Sequence, residues 1–370
     1  MHNATVMESY AVILAGGRGE RFWPVGRVSR PKQFVSLFGG KPLIRHAVDR
    51  LEGLIPLERI LVVTNRDLVQ ATSEALPHLP KENILGEPQG RDTAAACALA
   101  TAWVQSKGGE DACMCILTAD HLIADAPAFR KTLGNALEMV ARRPVLSIIG
   151  IKPTYAATGY GYVKVRGVLR GNDLPKGFRT VERFVEKPNL GTAATYLESG
   201  NYWWNSGMFV WQVRRFREAL SKFCPALDAL SEKLVPLFGT SSFEGTLEKW
   251  YGGLEKISVD YAVMEKASNL VGIRGDFGWD DVGTWVCAGT HFKKDPDGNA
   301  IHGLVRSLVA SGNTVVNSQE GHLIALMGIQ DLVVVHTEDA TLVCSKESAD
   351  GLKALVKEIG KEPELESFVR

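Results

Sequence analysis

Short apolar runs rich in β-branched residues recur through the first 150 residues, at Tyr10–Leu14, Ile60–Thr64, Asn83–Leu85, Cys113–Thr118 and Val145–Ile151. Between them apolar positions fall at helical spacing, near Pro42–Glu52, Asp67–Leu76, Thr93–Gln105 and Ala128–Ala141. Runs that are apolar throughout, alternating with amphipathic segments, predict an α/β fold with a parallel sheet covered by helices on both faces. On such a sheet ligands bind beyond the carboxyl ends of the strands. The glycine turn after Leu14 and Asp120-His121 after Thr118 both fall there, so two distant segments are expected on one edge.

From Gly159 to Trp211 the period changes to hairpin-like stretches, Tyr160–Val165, Arg179–Val185 and Trp203–Trp211. Helical segments follow, including Arg214–Phe223 and Val259–Ala267. Beyond Asn299 short apolar runs (Thr314–Asn317, Leu323–Met327, Leu332–His336, Thr341–Cys344) alternate with Gly, Asp and Asn, and Asp350–Ile359 reads as a closing helix. The expected division is therefore a main domain over 1–298 and a small C-terminal β segment with its closing helix over 299–370.

With 370 residues, 45% of them hydrophobic, the chain can bury a substantial core. Lys plus Arg equals Asp plus Glu at 42 each, which argues against a nucleic-acid or other bulk polyanion partner, so any basic site must be local. No apolar run reaches the roughly 18 residues of a membrane span. Met1–Tyr10 is neither basic nor apolar enough for a secretory signal, and Met7 is an alternative start. The six cysteines are scattered, without a Cys-x-x-Cys pair, and read as reduced thiols of a cytoplasmic protein.

Leu14-Ala15-Gly16-Gly17-Arg18-Gly19-Glu20-Arg21, followed by Pro31-Lys32-Gln33, carries the clearest chemistry. Glycines let backbone N–H groups approach an anion, and Arg21 and Lys32 add charge where a polyphosphate would lie. The Walker ending Gly-Lys-Ser/Thr is absent, and Phe22 stands where the dinucleotide fingerprint needs its third glycine. A plain surface turn is the alternative for the glycines alone. Asp120, ending a strand, reads as a magnesium ligand or as a turn aspartate. Asp281 in Trp279-Asp280-Asp281-Val282-Gly283 would supply the second carboxylate, with its neighbour Asp280 as the competitor.

Glu186-Lys187-Pro188 suits a sugar phosphate, the ammonium taking the phosphate and the carboxylate the hydroxyls, or is a solvated pair at a strand end. Asn205, among aromatic residues of Tyr202–Met208, fits a sugar site or a bulge with a satisfied amide. Glu87 could accept from both N1–H and the exocyclic amine of guanine. The competing account of Glu87–Thr93 is a Pro-Gly loop with Asp92 or Thr93 as helix cap.

With these residues placed, the chain resembles the sugar-phosphate nucleotidyltransferases, specifically the mannose-1-phosphate guanylyltransferases, over nearly its whole length. The likeness rests on Leu14–Arg21 with Pro31–Gln33, Glu87–Ala96, Ala119–His121, Thr158–Tyr162, Val185–Pro188, Trp204–Phe209, Ser258–Lys266 and Trp279–Trp285, in the family's order. It implies a nucleotidyltransferase catalytic domain over 1–298, built on a Rossmann-like, mixed but mostly parallel sheet flanked by helices, with a small β-helix-like appendage over 299–370. Leu14, Ala15, Gly16, Gly17, Gly19, Arg21, Lys32, Glu87, Thr93 and Asp120 would bind the nucleotide. Gly161, Glu186, Lys187, Asn205 and Asp260 would bind the sugar phosphate, and Asp120 and Asp281 would hold Mg2+.

The implied reaction is GTP plus mannose 1-phosphate giving GDP-mannose and pyrophosphate, by in-line attack of the sugar phosphate on the α-phosphorus, with Arg21, Lys32, Asp120 and Asp281 as catalytic residues. Asp92 stands where the family usually has Asn. A homodimer is a family-level expectation. The alternatives are the same chemistry on a heptose or fucose phosphate, and a non-catalytic subunit that senses nucleotide sugars.

Overall fold

The computed structural model describes residues 8–17, 19–171 and 173–370, arranged in two compact units. The first comprises the described residues through Gly16, Ala47–Ala119 and Ile123–Trp279. Its frame is a nine-stranded sheet. The strands are β1 (Ser9–Leu14), β2 (Ile60–Asn65), β3 (Ile84–Glu87), β4 (Cys113–Thr118), β5 (Leu146–Ile151), β6 (Tyr162–Val168), β7 (Phe178–Val185), β8 (Tyr202–Gln212) and β9 (Leu270–Gly275). They lie in the order β3-β2-β1-β4-β8-β5-β9-β7-β6. Only β7 and β8 run against the rest, so the sheet is mixed and mostly parallel, as expected. In register, Leu14 lies opposite both Val63 and Thr118, which sets the ends of β1, β2 and β4 side by side.

The sequence reading does not single out β9, although it runs in the middle of the sheet, between β5 and β7. Its run Leu270–Gly275 contains two glycines and an arginine, which dilute the apolar signal. Helix α1 (Asp92–Gly108) is buried on every side from Ala94 to Val104. Its alanines let the neighbouring helix α4 (Pro225–Leu234; α2 and α3 being Ala126–Arg142 and Val213–Phe223) pack close, with Ser231 Oγ donating to the Ala98 carbonyl at 2.8 Å. Trp211 stacks on Phe216 at 4.1 Å between ring centroids, within the same core. The helix expected over Val259–Ala267 is instead a single π turn, Asp260–Met264, closed by Glu265 N donating to the Asp260 carbonyl five residues back. Such wide turns turn up often at functional sites.

Strand β8 carries a break in register. Met208 pairs with Ile149, yet Asn205 pairs with the next residue, Gly150. Ser206 and Gly207 absorb the difference, with Gly207 at φ 70°, where an L side chain is strained.

The second unit comprises Gly17–His46, Asp120–Leu122 and Asp280–Arg370. Here β11 (Ala300–His302), β13 (Thr314–Asn317) and β15 (Leu332–His336) stack in parallel, flanked by β10 (Lys293–Lys294) and β16 (Thr341–Ser345); β12 (Val305–Leu308) pairs in parallel with β14 (Ile324–Met327). This is the β-helix-like texture expected of the C-terminal stretch. Buried Asn299 and Asn313 bond each other, Nδ2 to Oδ1, at 2.8 Å and satisfy the turn carbonyls of Ala310 and Ile329. Leu352 and Val356 of the closing helix (Leu352–Ile359) join one apolar cluster with Phe22, Trp23, Val282 and Trp285. All six cysteines are free thiols, and no helix of the described residues is long and apolar enough to cross a membrane.

Candidate active site

In the second unit the charged groups gather on Lys32. A short 3-10 turn, Lys32–Phe34, begins straight after Pro31 and holds Lys32 only 7% exposed. Gly19 makes this possible: at φ 61°, a Cβ there would stand 2.3 Å from the Lys32 backbone nitrogen. The Lys32 ammonium lies 5.7 Å from the Phe22 ring centre, donates to Asp120 Oδ2 at 3.1 Å and donates also to the Asp281 carbonyl. One cation thus joins two acidic residues that are 161 positions apart in the chain.

Burial would raise the Asp120 carboxyl, but the Lys32 ammonium, His121 and the hydrogen bond from Lys32 outweigh it and hold it below the usual range. His121 Nε2 stands 3.8 Å from Asp120 Oδ1.

The acidic turn after Trp279 is strained. Val282, a β-branched residue, sits at φ 45° and is fully buried. Two local hydrogen bonds keep it there, from Val282 N to Asp280 Oδ1 at 2.7 Å and from Gly283 N to Asp281 Oδ1 at 3.1 Å. Asp280 accepts on its other oxygen from His291 Nε2 at 2.8 Å, so both of its oxygens have partners within the unit. A Cβ on Gly283 would stand 3.0 Å from Asp281 Oδ2 and 3.5 Å from Arg21 Nη1, so the glycine leaves room for both side chains. Gln33 Nε2 donates to the Gly17 carbonyl at 3.2 Å, steadying the glycine turn.

In the first unit β1 ends at Leu14, and Ala15 and Gly16 are tied down by Thr64 Oγ1 to the Ala15 carbonyl (3.1 Å) and Asn65 Nδ2 to the Gly16 carbonyl (3.2 Å). Glu87, buried at the end of β3, accepts the Tyr251 hydroxyl on Oε1, while Oε2 lies 3.5 Å from where a Gly16 Cβ would stand. Burial pushes its carboxyl up to about 7, against the Tyr251 hydrogen bond. Asp92 occupies the left-handed region at φ 66°, and Thr93 Oγ1 accepts from Val259 N at 2.9 Å.

A second polar group forms where β6, β7 and β8 meet the π turn. Asn205 Nδ2 donates to Asp260 Oδ1 at 2.8 Å, and Asn205 Oδ1 accepts from Gly207 N at 2.9 Å, so the bulge fixes the amide. Burial raises the Asp260 carboxyl, with the Asn205 bond opposing. Glu186 is pushed up to about 7 by burial and the Asp260 charge, and its Oε2 is buried without a hydrogen-bond partner among the described residues. Gly161 is what admits it, since a Cβ there would lie 2.3 Å from Glu186 Oε2. Lys187 sits at φ 45°, its ammonium 3.7 Å from Glu186 Oε1 and largely exposed. Rings of Tyr155, Tyr160 and Trp279 surround Trp204, with Tyr155 and Tyr160 at 4.9 and 5.1 Å between centroids.

Sequence reasoning missed Tyr251 and the assembly of these rings. Tyr251 ends a helix, α5 (Phe243–Tyr251), whose pattern marks it only as a core residue, and it reaches Glu87 across 164 positions.

The nucleotidyl transferase family model matches residues 10–288, and the model of a MannoseP isomerase/GMP-like beta-helix domain matches residues 307–359. The chain belongs to the nucleotidyl transferase family. The mannose-1-phosphate guanylyltransferase of Escherichia coli K12 is 38% identical over 354 residues, covering 95% of this chain and 73% of its own length. The mannose-1-phosphate guanylyltransferase ManC of Salmonella typhimurium LT2 matches equally, at 38% over 354 residues with the same two shares, 95% and 73%. A solved structure from Thermus thermophilus, described as a mannose-1-phosphate geranyltransferase, superposes with a TM-score of 0.85 at 36% identity, over 95% of this chain and 99% of that one. Nucleotidyl transferases generally use a divalent metal.

Proposed function

We propose that this chain transfers GMP from GTP to mannose 1-phosphate, releasing pyrophosphate and leaving GDP-mannose. What supports the reading most is the Lys32 node with Asp120 and Asp281, found in a chain that mannose-1-phosphate guanylyltransferases match over 95% of its length. In the reaction an oxygen of the sugar phosphate attacks the α-phosphorus, and the bond from that phosphorus to the oxygen bridging the β-phosphorus breaks. The attacking oxygen is already ionised near neutral pH, so no base is required. The work left to the protein is to hold two repelling anions in line and to neutralise the departing pyrophosphate.

Lys32 and Arg21 serve the leaving side, and the backbone at Leu14–Gly17 and Gly19 gives the nucleotide close approach. Glu87 faces guanine, its Oε2 accepting from the base, with Thr93 at the start of α1 as a further nucleotide contact. Lys187 holds the phosphate of mannose 1-phosphate. The unpartnered Glu186 oxygen takes a sugar hydroxyl, Asn205 and Asp260 hold the sugar beside it, and Gly161 leaves the room it needs. The hard carboxylate oxygens of Asp120 and Asp281 fit Mg2+, which when bound supplies charge neutralisation at phosphate oxygens. The main domain over 1–298 and the β segment over 299–370 would act together as a cytoplasmic homodimer, a setting that rests on the family resemblance.

The experiment is pyrophosphate release with magnesium, pairing GTP, ATP, UTP and CTP with the 1-phosphates of mannose, a heptose and fucose. GTP with mannose 1-phosphate should turn over fastest. A faster rate with another pair would replace the assignment, and no release with any pair would leave a nucleotide-sugar sensor.

A further inference from the structure

The first unit contains a cavity of about 500 Å³ that none of the groups assigned above lines. Its charged lining is basic throughout: Lys131 from α2, Lys152 just past the end of β5, Lys176 in the turn before β7, Arg179 on β7 and Arg274 on β9. No aspartate or glutamate lines it. Among the described residues none of the five has a carboxylate within salt-bridge reach. Of the acids near them in sequence, Glu138 pairs with Arg142 at 2.7 Å and Glu182 with Lys164 and Arg166 at 2.9 and 3.0 Å, while Asp173 and Asp276 are exposed and form no ion pair with them among the described residues. In a chain with 42 acids to 42 bases, such segregation is a local feature of this hollow and not background.

The floor is built as deliberately as the wall. Trp203 of β8 is 6% exposed, and the Arg179 guanidinium lies over its ring at 6.0 Å. Gly150 on β5 vacates the space the indole fills, since a Cβ there would meet Trp203 Cε3 at 2.7 Å. Neutral donors and acceptors complete the lining in Thr132, Asn135 and Tyr202. Its volume is in the range of small-molecule sites. Five like charges drawn from separate elements repel one another, and an anion bearing several charges removes that repulsion as it binds.

We propose that this cavity is a binding site for a small polyanion carrying a diphosphate group, separate from the groups that handle GTP and mannose 1-phosphate. The lysine ammonium groups and the two guanidinium forks take the phosphoryl oxygens, and Trp203 forms an apolar floor beneath them. Free pyrophosphate and the diphosphate of a nucleotide share this chemistry.

The test uses the full chain. Acylation of lysine amines, read by mass spectrometry, is compared without ligand and with pyrophosphate or GDP, in the unsubstituted chain and in Lys32→Ala. Lys131, Lys152 and Lys176 should be protected by at least one ligand, and equally so in Lys32→Ala, because Lys32 plays no part in the cavity. Titration calorimetry on Lys32→Ala should show a remaining binding event that weakens about tenfold or more when Lys152→Ala and Arg274→Ala are added. Stronger protection by GDP would mark a nucleotide as the source, and stronger protection by pyrophosphate the free anion. The proposal is overturned if neither ligand protects these amines, or if protection vanishes with Lys32→Ala. Pyrophosphate-release activity of the unsubstituted chain tests the guanylyltransferase reading separately, so either can fail alone.

Discussion

Each proposed acidic ligand is held by a different device, and the devices make different predictions. Asp120 depends on Lys32 for its low proton affinity, whereas Asp281 is aimed by a strained, buried Val282 and its own bond to Gly283 N. Asp120→Ala or Asp281→Ala should remove pyrophosphate release, by 10²-fold or more on the scale of lost charge stabilisation, ~3 kcal/mol. The Asp120→Ala chain should stay folded with a lowered melting temperature, because buried Lys32 loses its carboxylate partner, and normal turnover in either variant would exclude the two-carboxylate arrangement. Glu87→Gln should narrow the preference for GTP over ATP, read as the ratio of kcat/KM values.

Glu87 also makes a prediction about pH. Its carboxyl titrates at about 7 in the fold against an ordinary 4.5, so the folded chain holds the proton more tightly. That contribution to stability is complete below pH 4.5 and is lost as the pH rises through 7, amounting to roughly 3 kcal/mol. Gln at this position still accepts from Tyr251 and never ionises. The melting temperature of Glu87→Gln relative to the parent should therefore rise between pH 5 and pH 8, and a difference independent of pH would refute the buried-acid account.

At the scale of elements, the bulge in β8 links backbone geometry to a sugar-holding side chain. Gly207→Ala puts a Cβ on a left-handed residue, at a cost of ~1 kcal/mol, and disturbs the N–H that fixes Asn205 Oδ1. We expect KM for mannose 1-phosphate to rise several-fold with KM for GTP nearly unchanged, and equal effects on both substrates would count against Asn205 as a sugar contact. The apolar runs foretold β1, β2, β4, β5 and the C-terminal strands β13 to β16 to within a residue or two, because strands buried on both faces are apolar throughout, but not β10, β11 or β12. They failed at β9 and at the π turn. Glycines and an arginine interrupt β9, and helical periodicity alone does not separate an α-helix from one wide turn.

At the scale of the whole molecule, the last residues of the chain brace the second unit's charged loops. Trp23 Nε1 donates to the Phe368 carbonyl at 2.8 Å, and Trp285 Nε1 donates to the Trp23 carbonyl at 3.0 Å. These bonds run from the C-terminus through the segment bearing Arg21 to the helix that follows Asp281. Removing residues 361–370 should lower kcat more than it raises either KM, together with a drop of several degrees in melting temperature. Full activity in the truncated chain would show the brace to be dispensable.

By itself the sequence determined the α/β class, the order of the motifs and the family, since these rest on composition, period and short runs that are local in the chain. It also named Arg21, Lys32, Asp120 and Asp281 as residues of interest while leaving Asp280 and Asp281 indistinguishable. Only the tertiary structure decided that His291 engages Asp280 while Lys32 reaches the Asp281 carbonyl, that Tyr251 sits on Glu87, and that five cations from separate elements line one hollow. Most of these groups lie far apart along the chain, and pairings closed across a sheet or a core leave no mark on local periodicity.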